Sequence, residues 1–252
     1  LYDVTSNILL KIKPVLEEFD PDLVLVHGDT ATTFATSLAA YYQKIKIGHV
    51  EAGLRSYRRD IPEEINRVLT NHLSTILLCP TKQVLANLQQ EGISTAIYET
   101  GDVMYDAAIY ASTKAEQGSV RFRKLGLEPD AYALATVHRA ENTNDEKQRA
   151  RIISYLTVEA KKTRVVFPVH PCTRQRARKF GLEFTGLLTI DPISYLNMAY
   201  LAKHACCIYT DSGGLQKEAY FHNTPCVTMR DEAEWQNTIE SGWNRLWTVK
   251  EY

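Results

Sequence analysis

Thr210-Asp211-Ser212-Gly213-Gly214-Leu215-Gln216-Lys217-Glu218 joins an apolar run over 205–209 to a stretch of helical character through two adjacent glycines. A strand that turns directly into a helix is the building unit of a parallel α/β sheet. The turn lies at the strand's carboxyl end, where ligands bind in such folds. Glycine has no Cβ, so backbone N–H groups can come close to an anion, and the positive end of the helix dipole favours one there. Ser212 adds a hydroxyl donor. Glu218, one helical turn on, has a carboxylate that can accept hydrogen bonds from a ribose. The same pattern also fits a tight turn with no ligand.

Outward from this turn the unit repeats. Leu23-Val24-Leu25-Val26 reads as a buried strand that feeds His27-Gly28-Asp29-Thr30 and then a helix over 33–42. Asp29 thus sits at a strand's carboxyl end, either facing a ligand or capping the next helix. A strand over 44–50 runs into His49-Val50-Glu51-Ala52-Gly53-Leu54-Arg55. Pro62-Glu63-Glu64-Ile65-Asn66-Arg67 then opens a helix, with proline in the first turn and acids matched to the dipole. Glu63 either serves that dipole or joins Asp29 and Glu51 as a third ligand-facing acid. Strand 75–79, helix 82–90 and strand 97–99 follow.

A charged stretch over 115–130, punctuated by Gly118, Gly126 and Pro129, places a domain boundary at 118/119. The alternation then restarts. Strand 132–136 leads to His138-Arg139-Ala140-Glu141-Asn142, helix 146–161 follows, and strand 164–169 ends at His170-Pro171. Strand 187–190 precedes Asp191-Pro192, helix 193–203 returns to the glycine turn, and strand 226–229 ends at Arg230. The expectation is an α/β protein of two Rossmann-like, doubly wound domains, 1–118 and 119–252, facing across a cleft. The strand ends of the first gather His27, Asp29, His49, Glu51 and Arg55, of which Asp29 and Glu51 are acids. His138, Arg139, His170, Asp211, Ser212 and Arg230 contribute cations and a phosphate turn from the second. A nucleotide sugar fits that division, with its diphosphate on the second domain and its sugar on the first.

The bulk numbers exclude other classes. Among 252 residues, 29 basic side chains balance 30 acidic ones for a net charge of −1, which leaves no electrostatic footprint for nucleic acid. No apolar run approaches the ~18 residues of a membrane span. The five cysteines are odd in number and lack metal-ligand spacing, which fits a reducing cytoplasm.

Taken together and in order, His27-Gly28-Asp29-Thr30, His49 to Arg55, Pro62 to Arg67, His138 to Asn142, Pro168-Val169-His170-Pro171 and Thr210 to Gly214 resemble the non-hydrolysing UDP-N-acetylglucosamine 2-epimerases over nearly the whole chain. The resemblance implies a glycosyltransferase-B-like fold, a cytoplasmic homodimer and a role in cell-surface polysaccharide biosynthesis, with no cofactor and no metal. The reaction it implies is inversion at C2 of UDP-GlcNAc to UDP-ManNAc through anti elimination of UDP and its re-addition to a 2-acetamidoglucal. In that reading Asp29, Glu51 and Glu63 move the proton and His138 stabilises the departing diphosphate. Ser212, Gly213 and Gly214 hold the phosphates, Glu218 the ribose, and Ile190 and Tyr195 flank uracil. Arg67, Arg139, His170 and Arg230 complete the substrate-binding set.

Three departures qualify the resemblance. The family's opening strand and Gly-Thr-Arg-Pro-Glu loop are missing, and the chain stops at Tyr252, ahead of the family's terminal helices. Low or no activity is therefore expected of this polypeptide, and measurable epimerisation would contradict that. Ala140 replaces an arginine found in many members, and Glu234-Trp235 with Gly242-Trp243-Asn244 also occurs in relatives that act on UDP-2,3-diacetamido uronic acids. The rival readings are such an epimerase, a transferase of the same fold, a hydrolysing epimerase, and a non-catalytic nucleotide-sugar-binding protein.

Overall fold

The computed structural model describes residues 2–118, 122, 124–139, 142–143, 145–169, 174, 184–230 and 236–247. The chain divides into two compact units, Leu1–Val103 and Met104–Tyr252. In the first, α1 (Tyr2–Phe19), β1 (Leu23–His27), α2 (Ala31–Tyr42), β2 (Lys46–Val50), α3 (Pro62–Leu73), β3 (Ile76–Cys79), α4 (Lys82–Gln90) and β4 (Ile97–Glu99) follow one another. The strands make one parallel sheet in the order β1-β2-β3-β4. Parallel neighbours need a crossover, and the helices supply it, so every strand has its carboxyl end on the same rim.

Leu16 of α1 and Ala39 and Ala40 of α2 bury Val26 and Ile47, while Val84 and Leu88, one turn apart on α4, bury Leu77 and Cys79. The reading of β1 as a fully buried strand is corrected here. Val24 and Val26 pack inward, but Leu23 and Leu25 are 39% and 56% exposed. Successive side chains point to opposite faces, and only one face of this edge strand is covered.

The second unit takes in nearly all of α5 (Val103–Ala115), a helix that the sequence pattern does not reveal. Its buried side is Ala108, Ala111, Ser112 and Ala115, which leaves no stripe of large apolar residues to mark it. Ala115 joins the second unit's core, and the Tyr105 ring meets Phe221 edge-on at 5.2 Å. The division therefore falls ahead of the boundary at 118 that the charged stretch suggested.

After α5 come β5 (Tyr132–Thr136), α6 (Glu146–Glu159), β6 (Arg164–Pro168), β7 (Leu188–Ile190), α7 (Tyr195–Lys203), β8 (Cys207–Thr210), α8 (Gly213–Phe221), β9 (Cys226–Thr228), α9 (Gln236–Glu240) and β10 (Asn244–Leu246). The six strands are parallel in the order β10-β9-β8-β5-β6-β7. Chain order runs outward from β5 in one direction and from β8 in the other, so the topological switch point lies between these two strands. Alternate residues fill both faces: Leu134, Val166 and Ile208 on one, Ala133, Val165, Phe167 and Tyr209 on the other. The short β10 carries no apolar signal. It is held by its ladder to β9 and by Asn244, whose amide accepts from Thr228 Oγ1 at 2.9 Å and donates to Thr238 Oγ1 at 3.2 Å. No described helix is long and apolar enough to cross a membrane.

Candidate functional site

The switch point of the second sheet carries the glycine turn. Thr136 and Thr210 end β5 and β8 and share a hydroxyl hydrogen bond of 2.6 Å, and Thr210 Oγ1 accepts from Ser212 N at 3.0 Å. Ser212 is the N-cap of α8, with its Oγ accepting from Leu215 N at 3.4 Å, so its hydroxyl proton remains a donor. Gly213 and Gly214 then begin the helix, and neither has a positive φ. A Cβ added to Gly214 would meet nothing closer than 3.9 Å. The backbone at Gly214 therefore does not require glycine.

Asp211, fully buried between β8 and α8, is the hub of this end of the sheet. It accepts from His138 N at 3.1 Å, Arg139 N at 3.0 Å and Asn142 Nδ2 at 3.0 Å, and His138 Nδ1 lies 3.1 Å from its carboxylate. Burial raises the proton affinity of Asp211, but these bonds outweigh burial and hold its pKa below the usual carboxylate range. The same hydrogen bond raises the pKa of His138, against its partial burial. Because Nδ1 is engaged, Nε2 of this 62% exposed side chain is the nitrogen left to face a ligand. Asn142, quoted in the sequence only as part of a motif, also donates to Met229 O at 3.1 Å and so ties the loop after β5 to the end of β9.

Glu218 lies buried in α8, where desolvation raises its pKa and a hydrogen bond from Tyr195 opposes the rise. Burial and the neighbouring Glu218 push the Tyr195 phenol up to about 12. The two residues expected at ribose and uracil thus touch each other. Ile190 ends β7, and Arg230 follows β9 at the same end of the sheet. His170, and the Ala140, Glu141 and Glu234-Trp235 positions, lie outside the described residues.

In the first unit, Asp29 does not cap α2. Thr30 does, accepting from Thr33 N at 3.3 Å, which leaves the Asp29 carboxylate to the rim. Arg67 of α3 pairs with that carboxylate and, at 2.7 Å, with Glu64, while Asn66 Nδ2 holds the Asp29 carbonyl at 2.9 Å. Glu51 opens the turn after the neighbouring strand at a φ of 71°. Its Oε2 would lie 3.6 Å from a Cβ at Gly28, so Glu51 and the Gly28-Asp29 turn are neighbours.

Adjacent in sequence, Glu63 and Glu64 have opposite fates. Glu63 is exposed in the first turn of α3, whereas Glu64 is 2% exposed and accepts from Ser56 N, Ser56 Oγ and Tyr57 N at 2.9, 2.8 and 3.1 Å. Burial alone would raise the pKa of Glu64, but these donors and Arg67 together lower it. Two residues read from the sequence as rim groups turn inward instead. His49 is fully buried, and Arg55, with a side chain 1% exposed, forks onto Glu91 through bonds of 2.6 and 2.5 Å.

The family profile described as UDP-N-acetylglucosamine 2-epimerase matches residues 1–252. The chain belongs to the UDP-N-acetylglucosamine 2-epimerase family.

It is thereby an isomerase by class. A UDP-N-acetylglucosamine 2-epimerase homolog of Methanococcus maripaludis is 47% identical over 248 residues, covering 96% of this chain and 69% of the relative. The UDP-2,3-diacetamido-2,3-dideoxy-D-glucuronate 2-epimerase of Pseudomonas aeruginosa is 42% identical over 248 residues, covering 96% of this chain and 68% of that one. Among solved structures, the Methanocaldococcus jannaschii UDP-GlcNAc 2-epimerase in complex with UDP-GlcNAc and UDP superposes with a TM-score of 0.81 at 39% identity, over 96% of this chain and 69% of its own. Both α/β units of this family member use parallel sheets throughout.

Proposed function

We propose that this chain inverts C2 of a UDP-N-acetylhexosamine, UDP-GlcNAc to UDP-ManNAc, by elimination and re-addition of UDP. The observation that carries the reading is the glycine pair at the switch point. Gly214 sits at a helix N-terminus in a conformation and a space that would admit a side chain, so what its missing Cβ serves is the close approach of an anion. Asp211 holds His138 with Nε2 outward beside that anion site, where a protonated imidazole stabilises the departing diphosphate.

A C2 proton is too weakly acidic to leave alone. Its removal is coupled to cleavage of the C1–O bond: a carboxylate takes the proton, the C–H pair becomes the C1–C2 double bond, and UDP leaves with the C1–O pair. Return of a proton to the other face of C2, with recapture of C1 by the diphosphate oxygen, completes the inversion. The first unit supplies acids suited to this, Asp29 and Glu51 in the turns after the adjacent strands β1 and β2, and Glu63 at the start of α3. Glu218 and Tyr195 together receive the nucleoside, and Ser212 to Gly214 its phosphates, with Arg139, Arg230, Arg67, Ile190 and His170 completing the contacts.

The test is incubation of the full-length protein that carries this chain with UDP-GlcNAc in D2O, read by NMR. Deuterium at C2 together with UDP-ManNAc is the expected result. Free ManNAc with UDP would instead mark a hydrolysing enzyme, and UDP binding without exchange would overturn the reading. The Pseudomonas relative supports a second substrate, a UDP-2,3-diacetamido uronic acid, and the same exchange assay with that sugar decides between them.

A further inference from the structure

His49 is a fully buried imidazole that the chemistry above does not use, and its two ring nitrogens reach the turn that carries Asp29 and the helix that has Glu63 in its first turn. Its Nε2 lies 2.8 Å from the carbonyl of Gly28, the residue before Asp29, and its Nδ1 lies 2.6 Å from the amide of Asn71 on α3. That amide has two orientations. With its oxygen toward the ring, its nitrogen would face the Arg55 guanidinium and Gly53 N, donor against donor. With its nitrogen toward the ring at 2.6 Å, its oxygen accepts from Arg55 Nη1 at 2.9 Å, Arg55 Nη2 at 3.0 Å and Gly53 N at 3.3 Å.

Glu91 locks Arg55 by a two-pronged ion pair, so the second orientation is imposed from outside the ring. Nδ1 must then accept, the proton must sit on Nε2, and Nε2 must donate to Gly28 O. We infer that His49 is a positioning residue: a neutral Nε2–H tautomer, set by Asn71, that struts the Gly28-Asp29 turn against the Glu51-Ala52-Gly53 turn and fixes the spacing of the two carboxylates.

The backbone bond from Gly28 N to Val50 O, 3.1 Å, closes the same junction. The charged groups that face the ring are Asp29 and Glu51, which both raise its proton affinity, with Arg55 beyond Asn71. Burial outweighs the carboxylates and keeps the ring's pKa below the ordinary value. Protonation would turn Nδ1 into a donor facing the Asn71 donor and break the strut.

This inference rests on the proposed epimerase only in its kinetic arm. The structural arm uses the full chain with 15N-labelled histidine. His49 is expected to show one protonated and one bare ring nitrogen at neutral pH, and Asn71→Asp, which presents an acceptor to Nδ1, is expected to protonate both. Asp29 and Glu51 amide signals should shift together in Asn71→Asp. In the exchange assay, His49→Leu should lower kcat by roughly 10- to 100-fold, the scale of a misplaced catalytic group. Its KM should stay within about threefold and UDP binding unchanged, and His49→Gln, whose amide can still donate to Gly28 O, should recover part of the loss.

An Nδ1–H tautomer, a ring that titrates near its ordinary pKa, or wild-type kcat in His49→Leu would overturn the inference. If the unsubstituted full-length protein shows no C2 exchange, the epimerase reading fails, while the tautomer and the coupled amide shifts still decide the strut. Should His49→Leu fail to fold, Asn71→Asp and the unsubstituted chain carry the test.

Discussion

Glu63 and Glu64 show how little a residue's identity says without its surroundings. Both are acids in the first turn of α3, yet one is exposed and the other is enclosed by two backbone N–H groups, a serine hydroxyl and Arg67. Glu64→Ala strands those donors and is expected to cost about 3 kcal/mol in urea unfolding, the scale of a broken buried ion pair. Glu63→Gln should stay within about 0.5 kcal/mol of the parent chain and lower C2 exchange by roughly 10²-fold.

His138 and Asp211 give a second test at this scale. His138 has a raised pKa, so its share of the pair's stabilisation is full below its unfolded value of about 6.5 and is lost as pH climbs through the folded value above it. Asp211 has a lowered pKa, so its share holds above its unfolded value and is lost as pH falls through the folded one. NMR titration of His138 should therefore give a midpoint above the ordinary one, and Asp211→Asn should bring it down. An unmoved midpoint would mean that the pairing at 3.1 Å is not maintained in solution.

At the scale of the element, α8 separates the demands of folding from those of binding. Gly214→Ala places a better helix former at a position with room for it, so the second unit should gain about 0.5 to 1 kcal/mol. The added methyl stands where the diphosphate is proposed to approach, so affinity for UDP should fall even as stability rises. Thermal unfolding with and without UDP checks both, and equal affinity would remove the argument that glycine is there for an anion. The cap geometry agrees with this division, since Ser212 satisfies Leu215 N through a lone pair and keeps its proton for a ligand.

For the whole molecule, the two units have separate cores and separate shares of the proposed chemistry. UDP at about a hundred times its Kd should add ~2.7 kcal/mol to the stability of the state that binds it. Hydrogen exchange should show the protection concentrated from Ser212 to Glu218 and around His138. Protection centred on the first unit would contradict the assignment of UDP to the second.

Much of this architecture can be read from short-range pattern. Apolar runs of strand length, helical spacing between them, and Gly, Asp, His and Ser at the junctions are local features, and parallel α/β folding follows from their alternation. That is why Asp29, Glu51, His138 and the Ser212 turn stand at strand ends in the structure as they do in the reading. What local pattern leaves open is decided by contacts between distant residues. The three residues of β10 become a strand only beside β9, α5 joins the second core through alanines that carry no amphipathic signal, and β1 is half exposed because only one face has a neighbour. His49, Arg55 and Asn71 look like rim groups or plain helix residues until folding brings Glu91, Gly28 and Gly53 to them. Hydrogen bonds demand partners at fixed distance and angle, and residues so far apart along the chain meet those terms only in the folded protein.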